Sequence, residues 1–160
     1  MHAVLLTWNP GPDNTHVWSP EAWEAAIVRP TQHGQAVATT WGVGNHVHHI
    51  GPGDEAYLYR QGSWGRGIVA RGVIRSRPWP APHWDEAKAR QGVVTHCVDV
   101  EWQDAVPVGA AIGVHQLEAL VPEFGWRKVY SSGRRTPAGV TAGLRQVWEM
   151  HGTAAVADED

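Results

Sequence analysis

The sequence has one cysteine and no long apolar run, and each shortage excludes a class of protein. Because Cys97 is the only cysteine, no internal disulfide can form. Its place in the valine-rich segment 94–100 predicts a buried strand thiol, and a catalytic thiol is the alternative. The apolar stretches 3–6 and 109–114 are far shorter than the ~20 residues that span a bilayer, and the N-terminus has no basic segment followed by an apolar core. We therefore expect a cytoplasmic protein with no membrane partner.

Net charge is also small. Thirteen basic and sixteen acidic residues give a formal charge of −3. This balance excludes a protein that holds nucleic acid mainly by neutralising phosphates, although it does not exclude binding. Eleven of the thirteen basic residues are arginine, which suits bidentate contact with phosphates and base edges. The alternative is that these arginines are solvated surface charges.

The length is that of one domain. A chain of 160 residues with 42% hydrophobic and 18% charged residues has ordinary globular composition, which excludes the disordered and fibrous classes. No internal repeat or linker interrupts the first 150 residues, and three acidic residues close the sequence. We therefore predict a single domain at 1–152, followed by an acidic flexible tail at 153–160.

Tryptophan is abundant where the other aromatic residues are scarce. Ten tryptophans accompany three tyrosines and one phenylalanine. Trp23 and Trp148 recur with other apolar residues at helical spacing, which predicts core positions, whereas Trp102 suits either core or surface. Tryptophans at strand ends or in glycine- and proline-rich turns are harder to bury and more often contact a ligand. These are Trp8, Trp41, Trp64, Trp79 and Trp84.

Alternation and turn signals predict an α+β domain. The predicted strands are 3–8, 35–41, 55–60, 67–76, 93–102 and 126–130. The predicted helices are 20–28, 115–120 and 136–150. The segment 77–84 is too proline-rich for regular structure and is predicted to form a rim. We expect a mixed sheet of five or six strands, flanked by helices, that curls into an open β-barrel whose mouth accepts a ligand.

Six segments of the sequence, in the order in which they occur, resemble those of a known protein family. They are Trp8-Asn9-Pro10, Trp41-Gly42-Val43-Gly44-Asn45, Gly53-Asp54 with Tyr57 and Tyr59, 67–73, 96–102, and Ser132-Gly133-Arg134. Over about residues 2–150 the chain resembles an EVE domain of the PUA-like superfamily, which is related to YTH, SRA and ASCH domains. The segments 62–72 and 84–100 are most similar to EVE-like modules of modification-dependent restriction endonucleases of the HNH type.

The resemblance implies a binding module that flips one modified cytosine, 5-methylated or 5-hydroxymethylated, out of DNA into an aromatic cage. It also implies a specificity role in modification-dependent restriction, beside a nuclease domain or subunit. Trp41 matches a cage-wall position, so we expect its ring to stay open to solvent and Trp41→Ala to leave the fold largely intact. The predicted pocket residues are Trp8, Asn9, Trp41, Asn45, Tyr59 and Trp84, with Trp79 an alternative to Trp84. The predicted phosphate contacts are Arg60, Arg66 and Arg134.

Other functions remain open at this stage. The same pocket suits a YTH-like reader of modified RNA, or a small ASCH-like enzyme acting on nucleosides. No phosphate-cradling loop, nucleophile elbow or nuclease core is evident, so we predict a binding domain without catalytic residues or cofactors. His46 and His48 share a face of a predicted strand, but no acid or cysteine stands at a metal-ligand spacing, and we predict no metal. Asp54 is predicted to make turn hydrogen bonds.

Overall fold

The computed structural model describes residues 2–10, 18–62 and 66–158, with side chains described as far as residue 151. Trp64, one of the predicted ligand contacts, lies outside these ranges. None of the helices in the described ranges has both the length and the apolar character that crossing a membrane requires.

An open mixed sheet forms the centre of the fold. Its strands are β1 (Ala3–Trp8), β2 (Val37–Gly42), β3 (Glu55–Arg60), β4 (Gly67–Ile74), β5 (Trp79–Pro82), β6 (Val94–Ala105), β7 (Ile112–Gly113) and β8 (Arg134–Arg135). Their order is β2-β6-β4-β3-β1-β8, with β5 added to β6 and β7 added to β4. Only the β1–β3 pair is parallel among the described pairings. The predicted α+β class with an open, curled sheet is confirmed, and the short strands β5, β7 and β8 were not predicted.

Side chains of β1 and β3 alternate between two cores, one on each face of the sheet. Val4, Leu6 and Trp8 enter the first core, whereas Ala3 and Leu5 enter the second. In β3, Ala56 and Leu58 likewise face the first core, and Tyr57 and Tyr59 face the second. Strands that are apolar on both faces are typical of a sheet covered on both sides.

Helices cover both faces. The first core is closed by α1 (Pro20–Trp23), a π-helical turn (Glu24–Val28) and α2 (Arg29–Gln32), which run on as one helical segment. Ser19 caps it by accepting a hydrogen bond from the Ala22 amide. In a regular α-helix the Pro30 ring would crowd the carbonyl four residues earlier, and the wider π turn accommodates it. The second core is closed by α4 (Val114–Leu120) and α5 (Ala138–Asp158), while the short α3 (Glu86–Arg90) buries no residue.

The long strand β6 curls the sheet. One of its edges pairs with β2, and the other pairs first with β5 and then with β4. The β4–β6 register shifts between Arg71 and Gly72. A Cβ on Gly72 would lie 2.4 Å from the Glu101 carbonyl oxygen, so only glycine permits this close approach.

Two segments differ from the sequence prediction. The prolines of 77–84 do not prevent a strand, because β5 is an edge strand whose unpaired side needs no amide donors. Residues 126–130, predicted as a strand, instead contain a 3₁₀ turn at Trp126–Lys128 that buries Trp126 in the second core. Trp23, Trp102 and Trp148 are all buried, which confirms the core predictions for Trp23 and Trp148.

Candidate functional site

A cavity of about 760 Å³ opens where β1 and β2 end. Its lining combines indole rings with neutral polar groups, and none of the described residues that line it is an aspartate, glutamate, lysine or arginine. The lining residues are Thr7, Trp8, Asn9, Trp18, Thr40, Trp41, Gly42, Val43, Gly44, Asn45, His46, Gln61, Trp84, Thr95, Tyr130, Ser131 and Ser132. This volume lies within the range of small-molecule sites, and such a lining suits a neutral, planar ligand.

Trp8 and Trp41 form the floor of the cavity. Each indole N–H is already used, because Trp8 donates to the Trp18 carbonyl at 2.8 Å and Trp41 donates to the Thr7 carbonyl at 2.9 Å. Both rings belong to the first core, where Trp41 packs edge-on against Trp102 with ring centroids 5.6 Å apart. Both rings therefore offer apolar surface but no hydrogen-bond donor to a ligand.

The expectation that Trp41 stays open to solvent is wrong. Only 8% of the residue is exposed, and Trp23 also packs against its edge. The T-shaped contacts with Trp23 and Trp102 fix the Trp41 ring on its core-facing side. Trp41 nevertheless lines the cavity, so the structure makes it a rigid floor rather than a free-standing wall.

Two turns close one side of the cavity. The Ser132 hydroxyl accepts the Thr7 amide hydrogen bond at 3.0 Å, which attaches the 131–133 turn to β1. Gly133 has φ +100, and a Cβ there would lie 2.9 Å from His46 Cβ and 3.0 Å from Val43 Cβ. Only glycine therefore lets the 43–46 loop pack against this turn. Asn45 is an exposed member of that loop, available to a ligand's polar edge.

Two exposed aromatic residues stand at the rim. Trp84 follows β5 and is 62% exposed, and its ring lies 4.9 Å from that of His83. Tyr130 is 78% exposed and follows the 3₁₀ turn. Large aromatic side chains left in solvent beside a cavity are typical of ligand contacts.

A smaller cavity of about 270 Å³ adjoins the first. The two share Asn9, Gln61 and Tyr130 as walls. Two hydrogen bonds hold Gln61 in place. Its backbone N–H donates to the Trp8 carbonyl at 2.7 Å, and its side-chain Nε2 donates to the Val129 carbonyl at 2.8 Å. The other walls of this side cavity are Tyr59, Gly62, Arg66, Arg127 and Val129.

The structure brings most, but not all, of the predicted pocket residues together. Trp8, Asn9, Trp41, Asn45 and Trp84 line the main cavity. Trp79 does not line it, and its indole N–H donates to the Asp99 carboxylate at 3.1 Å. Tyr59 does not line it either, because strand alternation turns its ring into the second core, where its hydroxyl donates to the Trp126 carbonyl. The prediction that Tyr59 lines the same pocket as Trp41 is corrected, since Tyr59 lines the side cavity instead.

The three arginines that were predicted to contact phosphate lie in different environments. Arg66 is half-buried and lines the side cavity. Arg60 is buried, and burial lowers the pKa of its guanidinium, so the expectation of a surface contact is corrected. Arg134 lines neither cavity, and its guanidinium carbon lies 4.4 Å from the centre of the Phe124 ring.

Several lining residues were not predicted from the sequence. Tyr130, Trp18, Gln61, His46 and the two serines reach the cavity through loops whose placement depends on long-range contacts. The aromatic residues Trp18 and Tyr130 carried the same signal that pointed to Trp84, an aromatic residue outside the regular pattern. His46 and His48 do not share a strand face, because residues 46–49 form a loop. Within the described ranges, no three His, Cys, Asp or Glu side chains group closely enough to hold a metal ion.

The open mixed sheet with helices on both faces and a cavity at the end of β1 is a fold that this chain shares with solved structures of low sequence identity, which confirms the predicted fold class. Human THYN1 in complex with 5-methylcytosine-containing DNA shares this fold at 16% identity and a TM-score of 0.58, over 94% of this chain and 98% of that chain. A hypothetical protein from Leishmania major matches at 11% identity and a TM-score of 0.58, over 96% and 97% of the two chains. A protein from Pseudomonas putida matches at 19% identity and a TM-score of 0.53, over 89% and 97%. No family model and no curated protein matches the sequence.

Proposed function

We propose that this chain reads a modified base in DNA, of the 5-methylcytosine or 5-hydroxymethylcytosine class, by accepting the flipped base in the main cavity. The observation that carries the proposal is the lining of that cavity, whose described residues include four indoles and no aspartate, glutamate, lysine or arginine. A nucleobase is a neutral, planar aromatic group, and such a lining matches it. Human THYN1, which has the same fold, is bound to DNA containing 5-methylcytosine, and this supports the choice of ligand class.

The energetics favour an aromatic site of this kind. Flipping costs a few kcal/mol of stacking and pairing, whereas each base stacked on an aromatic side chain regains about 1–3 kcal/mol. The floor supplies apolar contact, so the exposed polar groups at the mouth must supply the hydrogen bonds to the pairing edge. Asn9 and Asn45 line the cavity, and each carries an amide that offers both a donor and an acceptor.

The test is a titration of short duplexes that differ at one cytosine only. Burying one methyl group is worth about 0.8 kcal/mol, so the modified duplex should bind at least about fourfold more tightly. Placing the modified cytosine opposite an abasic site should tighten binding further, because the base is then already unpaired. Equal affinity for the unmodified, 5-methyl and 5-hydroxymethyl duplexes would remove the proposal, and tighter binding of modified RNA would move it to RNA.

We further propose that the module directs a nuclease carried by another domain or subunit. This role rests on the resemblance of 62–72 and 84–100 to modules of modification-dependent restriction enzymes. Copurification of a nuclease with the tagged chain from its native host, followed by cleavage of modified but not unmodified DNA, would support it. Isolation of the chain without any nuclease activity on modified DNA would argue against it.

One observation favours a second function, hydrolysis of a nucleoside-like substrate. His46 Nε2 lies 3.3 Å from Ser131 Oγ on the cavity wall, close to the reach of a base and its nucleophile. Incubation with modified nucleosides, followed by chromatography, tests this function directly. Turnover that disappears in Ser131→Ala would establish an enzyme, whereas unchanged substrate leaves the binding function alone.

A further inference from the structure

We propose that the side cavity binds the phosphate of the nucleotide whose base occupies the main cavity, so that the two cavities together recognise a base and its phosphate as one unit. This inference rests on the proposed function and names a second part of the ligand. The sequence pointed to Arg66, but not to Arg127 and not to a cavity shared by the two.

The two cavities differ in the charge of the residues that line them. Among the residues that the structure describes, the lining of the main cavity has no arginine, lysine, aspartate or glutamate, whereas that of the side cavity has Arg66 and Arg127 and no acidic residue. A nucleotide has the same division, with a neutral aromatic base and an anionic phosphate. Because one sugar joins the two groups, a phosphate site has to adjoin the base site, and the shared walls Asn9, Gln61 and Tyr130 meet this requirement.

Both arginines are held by neighbouring groups. Arg127 makes a two-point ion pair with Glu118, at 2.8 Å and 3.2 Å. Arg127 lines the side cavity, whereas Glu118 does not. Arg66 donates its Nε–H to the Gly62 carbonyl, which fixes the plane of its guanidinium group. Guanidinium groups fixed in this way lose little entropy when they bind a phosphate.

Tyr59 forms part of the wall of the side cavity, and nearby charges act on its hydroxyl. Burial raises the pKa of this hydroxyl, the charges of Arg66 and Arg127 lower it, and the charge of Glu118 raises it by a smaller amount. At this wall the effect of the two arginines therefore outweighs that of Glu118. An anionic group placed there would meet the same potential.

The experiment compares 5-methyl-2′-deoxycytidine with its 3′- and 5′-monophosphates, at constant ionic strength, by tryptophan fluorescence or calorimetry. We expect at least one monophosphate to bind about tenfold or more tightly than the nucleoside, because charge-assisted hydrogen bonds are stronger than neutral ones. Inorganic phosphate alone should compete weakly, which separates a nucleotide site from a general anion site. Strong displacement of the monophosphate by inorganic phosphate, or equal binding of nucleoside and monophosphates, would overturn the inference.

Single substitutions test which arginines produce the preference for the monophosphate. Arg66→Gln and Arg127→Gln should each reduce the preference for the monophosphate by about fivefold or more while leaving nucleoside affinity unchanged. Glu118→Gln keeps the Arg127 cation and should retain the preference. Arg90→Gln is the matched control, because Arg90 pairs only with Glu86 on α3 among the described ion pairs and lines neither cavity. Thermal unfolding of each variant shows that it is folded.

The outcomes separate the two proposals. If the arginine variants keep the monophosphate preference while modified cytosine is still distinguished from cytosine, the side cavity is not the phosphate site and the proposed function stands. If the preference for phosphate is lost in both arginine variants but wild type does not distinguish modified from unmodified bases, the side cavity is confirmed and the proposed function falls.

Discussion

At the scale of single residues, burial divides the tryptophans that line the cavity into a buried and an exposed group. Trp41 is 8% exposed and Trp84 is 62% exposed, although both line the same cavity. Under the proposed function, the buried ring contributes to both core stability and ligand binding, whereas the exposed ring contributes little to core stability. Replacing each by alanine therefore tests different quantities.

We predict that Trp84→Ala weakens binding of the modified base by about 1–3 kcal/mol and changes the free energy of unfolding by less than about 0.5 kcal/mol. Duplex titration and urea unfolding measure the two quantities. Trp79→Ala is the matched control, because Trp79 is also an exposed tryptophan of the same segment but does not line the cavity. Equal loss of affinity in both variants would show that Trp84 has no special contact with the ligand.

For Trp41→Ala we predict a loss of about 3–5 kcal/mol of unfolding free energy, because a buried tryptophan is replaced by a cavity among Trp23 and Trp102. This differs from the sequence-based expectation of an intact fold. Trp41→Phe keeps much of the apolar surface and loses part of the ring volume and the hydrogen bond to the Thr7 carbonyl, so it should be affected less. A Trp41→Ala protein as stable as wild type would contradict the packing described above.

At the scale of elements, local patterns predicted the paired central strands and missed segments decided by tertiary contacts. The bounds 3–8 and 55–60 match β1 and β3, because turn residues end both strands. The alternation at 126–130 also resembled a strand, but the Trp126 indole donates to the Val121 carbonyl and the backbone turns to bury the ring. Such a contact with a preceding loop has no local sequence signal.

The dependence on tertiary contacts also explains which residues of the candidate site could be predicted from the sequence. Trp8, Asn9 and Asn45 were predictable because a strand or a glycine turn ends beside them. Tyr59 was misplaced although its side is set by parity, since it alternates with Leu58 of the first core and joins Tyr57 in the second. Tyr130 was missed because its position depends on the 131–133 turn, which contacts β1 through a hydrogen bond between residues 125 positions apart.

That turn supplies a prediction at the same scale. Gly133→Ala places a Cβ 2.9 Å from His46 Cβ at φ +100, and we expect a loss of about 2 kcal/mol of unfolding free energy. The 43–46 loop should move away, so binding of the modified base should weaken as well. Gly139→Ala is the control, because this helical glycine has open space around it and alanine should be neutral or slightly stabilising. Similar stabilities for the two variants would show that the turn does not require glycine.

At the scale of the whole molecule, the central sheet separates the core that carries the cavity floor from a second core on its other face. The first core includes the cavity floor, whereas the second contains Tyr57 and Tyr59 and packs against α4 and α5. Tyr57 donates to the Glu55 carboxylate at 2.7 Å, and Arg145 of α5 donates to the same carboxylate at 2.6 Å. This chain of hydrogen bonds joins the helical layer to the sheet.

Tyr57 and Tyr59 make the free energy of unfolding depend on pH in the alkaline range. Burial raises the pKa of Tyr57 and of Tyr59, and for Tyr57 the hydrogen bond and charge of Glu55 raise it further, against the lowering effect of Arg71. A raised folded-state pKa means that the unfolded chain releases these protons first. Their contribution to stability is therefore complete below pH ~10, the pKa of an unperturbed tyrosine, and is lost as pH rises above it.

We predict that the free energy of unfolding falls above pH ~10 with a slope approaching about 1.4 kcal/mol per pH unit for each of the two tyrosines, until the folded-state pKa is reached. Urea unfolding followed by circular dichroism at several pH values between neutrality and the alkaline limit of the protein measures this slope. Tyr57→Phe removes one titrating group and keeps the ring in the core, so its slope should be smaller than that of the wild type by up to about 1.4 kcal/mol per pH unit, because groups that titrate in both proteins contribute equally. Identical slopes in the two proteins would show that Tyr57 ionises as readily in the fold as in the unfolded chain, and that the second core is open to water at this position.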